Sequence, residues 1–337
     1  MDSVTQIVLG AAVGEAALGK KVGNKAMLWG AIAGTIPDLD VVGRYFLDDI
    51  TALEWHRGFS HSLVFSLLAA PIFGYLIQRF SKDKSGGFKG WTWLMFLGFV
   101  THPLLDCHTT WGTQFLWPLD LRIAYNNIFV VDPLYTIPFM IFLILAMRRK
   151  RTDPRRQKLN NLGLVISSGY MLLTILLKWY TLPTFTSSLT NQGRAYERIS
   201  TRPTPFNSIM WTANVETRDS FLIGYYSLLD ETKNVQFKGY AKHHNYIDSI
   251  KNEDQIKRLI HITKDWYIIQ QRGDSTYLCD LRFGEQGVHN PENKFVFTNR
   301  IYRDDEGWKI EQIEPNTDDA GAMFQSLFKR VAGNQDN

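Results

Sequence analysis

The sequence predicts a polytopic α-helical membrane domain of about six helices, residues 1–182, followed by an α+β, mainly β, soluble domain, residues 183–337. Three observations carry this reading. Apolar residues gather in long blocks up to about residue 180, and the loops between those blocks alternate between basic and acidic. From Phe206 the pattern changes to short runs of aromatic and β-branched residues punctuated by Asn, Asp and Gly, which is how strands read. The mean hydropathy of −0.17 averages the two halves and describes neither.

The blocks follow in order. The first, 4–19, is rich in Gly and Ala and holds one acid, Glu15; the second, 26–37, is shorter. Both fall below the roughly 20 residues that span a bilayer upright. Gly10, Gly14, Gly30 and Gly34 would let two such helices pack closely as a hairpin. Block 60–80 is long enough to span. Block 91–105 is shorter but strongly apolar, with Trp91 and Trp93 as interfacial anchors. Block 133–147, where Pro138 predicts a kink, and block 162–180 complete the set. Loops 20–25, 79–89 and 148–158 hold fourteen basic residues, against Arg44, Arg57 and Arg122 in loops 38–60 and 107–132. Such an excess marks cytoplasmic loops, so the acidic loops and the C-terminal domain are expected outside. Asp2 stands where a cleavable signal would carry basic residues, so none is expected. A net charge of +4 is too mild to argue for nucleic acid, and Cys107 and Cys279 make neither a disulfide framework nor a zinc ribbon.

Against this topology the chemistry-bearing side chains fall together. Asp38 and Asp40 follow the second block, His56, Arg57 and His61 precede the third, and His102 and Asp106 close the fourth. All lie at the extracytoplasmic membrane edge, where ionisable groups are costly and by default mark function. Imidazole and carboxylate suit Zn, Mn or Fe. Asp38, Asp40, His56, His61, His102 and Asp106 are therefore candidate ligands for one or two divalent ions, zinc first and manganese second. His102 and Asp106, four apart, share a helix face if the helix persists through Pro103. Gly58 allows a turn that aims His56 and His61 at one ion. Asp38 and Asp40 would point apart in an extended stretch and converge in a turn, and either could serve as general base instead. Arg57 suits an anionic oxygen, which it can hold bidentately, or a lipid headgroup. Ser60 and Ser62 read as helix caps, His108 as a weaker ligand candidate, and Cys107 as packing. His243, His244 and His289 read as exposed loop histidines.

Three ordered motifs, Gly34-x-x-Pro37-Asp38-x-Asp40, His56-Arg57-Gly58-x-x-His61-Ser62 and His102-Pro103-Leu104-x-Asp106-x-x-Thr109-x-x-Gly112 running on to Pro118, resemble the YdjM-like family. That family is described as membrane-bound metal-dependent hydrolases, also as LexA-binding inner-membrane-associated proteins. The resemblance covers about residues 1–180. It implies metal-site roles for Asp38, Asp40, His56, His61, His102 and Asp106, and a bacterial-type inner membrane. Members often begin with a Thr-His pair; this chain has Thr5-Gln6, so Gln6 or Asp2 would have to substitute. The expected function is metal-dependent hydrolysis at the extracytoplasmic face, on a phospholipid or lipid-linked phosphoester, with membrane lipids as partners. The alternative is a non-enzymatic regulator or scaffold with a structural metal. A transporter fits less well, because the polar residues sit at one membrane edge rather than the midplane.

In the second half, 181–191 reads as a polar linker and 192–200 as a short helix. Strands are expected at 209–215, 221–228, 235–240, 266–271, 275–283, 295–302 and 308–313, with a helix over 250–262. Arg272-Gly273-Asp274 and Asp305-Glu306-Gly307 read as hairpin turns.

Overall fold

A computed structural model describes residues 1–82, 84–288, 292–305, 307–314 and 320–333. His289 and Glu306 lie outside the described residues. The chain divides into two compact units. The first comprises Met1–Phe46, Trp55–Leu176 and Pro205–Asn207; the second comprises Leu47–Glu54, Leu177–Thr204 and Ser208–Asn337.

The first unit is helical. Helices α1 (Ser3–Val22) and α2 (Asn24–Thr35) form the expected hairpin, turning at Gly23, whose φ of 63° suits glycine. Their backbones touch: a Cβ on Gly30 would overlap the carbonyl oxygen of Gly10. A 3-10 helix, Ile36–Tyr45, follows. After α3 (Asp49–Trp55) and a short 3-10 turn, Phe59–His61, the chain enters α4 (Leu63–Phe80). Ser62 caps α4 by accepting from Phe65 N at 3.0 Å. Helix α5 (Gly87–Asp106) runs unbroken through Pro103, and α6 (Pro133–Met147) contains Pro138. Leu18, Ala26, Ala33, Ala70, Leu94 and Phe99 form one core of this unit; Val8, Ala12, Leu105, Ile128 and Phe139 form another.

Several expectations need correction. Among the described residues only α4 and α7 (Pro154–Asn191) are long and apolar enough to cross a membrane, not six helices. The physical reason is composition and length. Helices α1 and α5 dilute their apolar residues with glycine, threonine and ionisable groups, and α2 and α6, with 12 and 15 residues, reach only about 18 and 22 Å. Trp91 is no interfacial anchor but is fully buried in the core, whereas Trp93 is exposed. Arg156, counted among the basic loop residues, is buried and donates from Nε to Glu15 Oε1 at 2.6 Å. A buried acid of this kind is retained only when paired.

The second unit is two antiparallel four-stranded meanders. One holds β1 (Arg198–Pro203), β2 (Met210–Glu216), β3 (Ser220–Ser227) and β4 (Phe237–Ala241); the other holds β5 (Tyr267–Arg272), β6 (Ser275–Glu285), β7 (Phe295–Asp304) and β8 (Gly307–Ile313). The seven expected strands are all present. The expected linker 181–191 is instead the end of α7. Its threonines return hydroxyl bonds to the preceding turn, as Thr190 does to Thr186 O at 3.0 Å, and Phe185 and Leu189, four apart, bury fully against β2 and β3. Tertiary burial overrides a polar composition here. The expected helix 192–200 gives way to β1, where Arg198 pairs with Glu216 on β2 and lies over the Trp266 ring. Helix α8 (Asp254–Thr263) matches the expected helix and packs on β5–β8 through Ile256 and Leu259. Ile50 of α3 is buried in the same cluster, and Arg258 bonds Glu54 and Thr51 at 2.6 and 2.8 Å. Helix α9 (Ala320–Val331) had no counterpart in the sequence reading; Arg330 ties it to Asp230.

Candidate metal centre

The 3-10 helix Ile36–Tyr45 turns every three residues, so Asp38 and Asp40 face different ways. Asp38 turns toward α5 and Asp40 toward the His56–His61 segment. On α5, His102 and Asp106 sit one turn apart on one buried face. The 3-10 turn Phe59–His61 brings His61 to the same place. Asp38, His61, His102 and Asp106 thus place one donor atom each within 4.8 Å of one another.

The distances are specific. His61 Nε2 lies 3.3 Å from Asp38 Oδ1, 3.1 Å from His102 Nε2 and 3.4 Å from Asp106 Oδ2. His102 Nε2 lies 3.4 Å from Asp38 Oδ1 and 3.5 Å from Asp106 Oδ2. Ligands bound tetrahedrally at zinc bond lengths stand about 3.3 Å apart, so these separations fit a four-donor ion site.

Protonation points the same way. His102 Nδ1 is 2.7 Å from the Gly34 carbonyl oxygen. A carbonyl only accepts, so Nδ1 carries the proton and Nε2 is left with a lone pair. His61 Nδ1 sits 3.0 Å from Ser60 Oγ and 3.3 Å from Asp40 Oδ2. Ser60 gives its own hydroxyl proton to Asp40 at 3.1 Å, so His61 also donates from Nδ1. Two imidazole Nε2 atoms and two carboxylate oxygens therefore face one point, which a proton on His61 or, in its place, a metal ion reconciles. Asp106 Oδ2 is buried and, beyond its ion pair with Arg57 Nε, makes no hydrogen bond. Burial by itself lowers the His61 pKa, but Asp106, Asp38 and Asp40 outweigh it and raise the group to about 10. Burial likewise opposes ionisation of Asp38, yet the neighbouring His102 and His61 hold it well below the usual carboxylate range.

Asp40 and His56 stand behind this cluster. Asp40 accepts from His56 Nδ1 at 3.1 Å, Arg57 N at 2.8 Å and Ser60 Oγ at 3.1 Å, and lies against His61 Nδ1. A carboxylate behind a ligating imidazole fixes its tautomer and orientation. Arg57 has φ 59°, an uncommon conformation for a side-chain-bearing residue. It is held there by its N–H to Asp40 and by Gln114 N donating to its carbonyl at 3.0 Å. Such outliers persist where surrounding structure over-determines them, and cluster at functional sites. The Arg57 guanidinium is buried, with Nε 3.2 Å from Asp106 Oδ2 and Nη1 donating to Thr109 Oγ1 at 2.6 Å. It is not displayed toward headgroups.

Asp2 caps α1, accepting from Thr5 N at 3.0 Å, and Gln6 reaches the centre, donating to Asp106 Oδ1 at 3.0 Å. The amino group of Met1 contacts the same oxygen. His108 bonds Asn127 Oδ1 at 2.8 Å, outside the cluster. Cys107 is buried. His243 stacks on Tyr246, and His244 bonds Tyr267 O at 2.9 Å in the second unit. The sequence reading gives no role to two supports: the Gly34 carbonyl, which it offers as a packing and motif glycine, and Thr109, which bridges Arg57 to the Asp106 carbonyl at 2.8 Å. Both lie inside the motifs, and that was the only signal for them.

Two helices of membrane length and a largely buried His–Asp donor cluster suit the class of membrane proteins with a metal centre. Residues 1–182 match the family described as YdjM inner membrane protein, and the chain belongs to that family. It is similar to inner membrane protein YbcI of Escherichia coli (strain K12), 34% identical over 104 residues, which is 30% of this chain and 58% of that protein. The chain thus spans little more than half of that relative. No solved structure matches it.

Proposed function

We propose that Asp38, His61, His102 and Asp106 hold a divalent metal ion, and that the protein is a membrane-bound hydrolase of phospholipids or lipid-linked phosphoesters. The observation that supports this most is the pair of imidazole Nε2 atoms facing two carboxylate oxygens. Two nitrogen and two oxygen donors at these separations favour zinc, with manganese the alternative. A divalent ion there would supply Lewis acidity for ester cleavage. The residues around it divide the remaining work. Asp40 has its oxygens taken up by four neighbours and orients His61. Asp38 faces the cluster through Oδ1 alone, and its side chain is 21% exposed, so its other oxygen can accept a proton from an attacking water. Arg57 keeps a buried Nε–H donor beside Asp106 and can stabilise negative charge developing on an anionic ester. The basic-loop asymmetry supports a multi-pass arrangement with the centre and the second unit outside the cytoplasm. A cysteine at Asn234 should then be labelled from outside intact cells and one at Lys84 spared.

One observation favours a second reading. Four protein donors, three of them buried, also suit a closed structural site, as in a regulator or scaffold. The deciding experiment is metal analysis and phosphoester turnover on the purified full chain. Wild type should bind metal and hydrolyse; His61→Ala should lose metal; His243→Ala should keep it. Asp38→Ala and Arg57→Ala should lose turnover. Full metal occupancy with no turnover of any ester by wild type would establish the structural reading instead.

A further inference from the structure

We propose that the 3-10 helix Ile36–Tyr45 lies in the lipid interface and forms a membrane-immersed rim beside the metal centre. In a 3-10 helix residues three apart eclipse one another. One row, Pro37 and Asp40, faces inward: Pro37 is buried and Asp40 is spent on the His56–His61 segment. The opposite row, Leu39, Val42 and Tyr45, is 56%, 46% and 78% exposed, and Phe46 extends it at 83%. A contiguous exposed apolar row on a polar-faced helix marks an interaction surface.

Three features select a bilayer as the occupant. The rim is tied through Asp40 to the segment that enters a membrane-length helix, α4. Asp40 accepts from Ser60, whose neighbour Phe59 is exposed and packs edge-on against Phe65 in the first turn of α4, at 5.6 Å between ring centres. Phe59 also packs on Trp117, at 5.0 Å. Next, the rim ends in the exposed rings of Tyr45 and Phe46, and tyrosine is enriched at membrane–water interfaces. Finally, Arg44 on the same helix is exposed and has no carboxylate partner among the described residues. A cation there complements anionic headgroups, while Leu39, Val42 and Tyr45 meet acyl chains.

The consequence concerns substrate class and rests on the hydrolase reading. Leu39 is adjacent in sequence to Asp38. An amphiphile can therefore keep its chains in the leaflet beside the rim and present its polar ester to the centre without leaving the membrane. Such a centre acts on long-chain phosphoesters in a bilayer in preference to short-chain, water-soluble ones.

Site-directed spin labelling tests the rim directly. Nitroxides are placed singly at Val42, Tyr45 and, as an aqueous control, Arg218, an exposed residue of the second unit. Cys107 and Cys279 are both buried and escape labelling. The full chain is reconstituted in phosphatidylethanolamine–phosphatidylglycerol vesicles, and collision with oxygen is compared with collision with a water-soluble nickel complex. Labels at 42 and 45 should favour oxygen several-fold, and the label at 218 should favour nickel. Nickel preference at 42 and 45 would put the helix in water and overturn the proposal. Protection from both reagents would mean a second copy or another protein covers the row, and would overturn it equally. In a separate arm, wild type should cleave a long-chain phosphoester in vesicles at least tenfold faster than its short-chain analogue; equal rates would refute the amphiphile preference. Absence of all hydrolysis, with the labels still in lipid, would remove the hydrolase reading and leave the rim standing.

Discussion

Asp40→Asn separates a ligand from a residue that orients one. Asp40 is ionised at neutral pH: burial opposes this, but hydrogen bonds from His56 and His61 hold the carboxyl well below its usual range. Asparagine keeps the volume, removes the charge, and replaces one accepting oxygen with a donor. Whichever way the amide turns, its NH2 meets a hydrogen-bond donor, either His56 Nδ1 or the Arg57 N–H and Ser60 hydroxyl. The carboxylate that fixes His61 Nδ1 as a donor is lost. The four facing donor atoms themselves stay in place. Loss of such a backing carboxylate typically weakens metal binding about 10–100-fold, which corresponds to about 1.4–2.8 kcal/mol. The assay is competition with a fluorescent zinc chelator, using the solubilised full chain, alongside Asp38→Ala and His61→Ala. Asp40→Asn should fall between wild type and those two. If it abolishes binding as fully as Asp38→Ala, Asp40 is itself a ligand and the layered arrangement is wrong. If affinity is unchanged, Asp40 does not orient His61.

Two further outcomes follow from the same geometry. A Cβ at Gly34 would overlap Gln6 O and lie 3.3 Å from Gly10 Cα. Gly34→Ala should therefore cost about 1–3 kcal/mol of stability and also weaken metal binding by pulling the Gly34 carbonyl from His102; thermal unfolding and the chelator assay on one sample check both. With His61 raised to about 10 by Asp106, Asp38 and Asp40 against the effect of burial, the metal must displace a proton at neutral pH. Calorimetry in buffers of different ionisation enthalpy should show about one proton released, and apparent affinity should rise up to about tenfold per unit between pH 6 and 9. In metal-free protein the sign for stability is opposite: the raised pKa stabilises the fold fully below the unfolded value of 6.5, and that contribution fades as pH climbs toward 10. A pH-independent affinity would refute the His61 assignment.

Much of this protein was legible in its residues. Apolar blocks located α4 and the membrane-length part of α7, small residues announced the α1–α2 contact, and β-branched runs located seven strands, because each signal is local and periodic. The ionisable residues of three motifs were recognised as belonging together, since isolated charges at a membrane edge are costly. What the sequence left open was which of them face one another. Spacing alone could not say whether 36–45 is extended, coiled or helical, and only the 3-10 turn sends Asp38 to the centre and Asp40 behind His61. Tertiary burial likewise decided that Thr-rich 181–191 stays helical, because Phe185 and Leu189 gain a sheet to pack on. It also decided that 47–54 joins the second unit, through Ile50 and Glu54 against α8. Those choices depend on partners distant in the chain, as far as 204 residues between Glu54 and Arg258, and no local pattern encodes them.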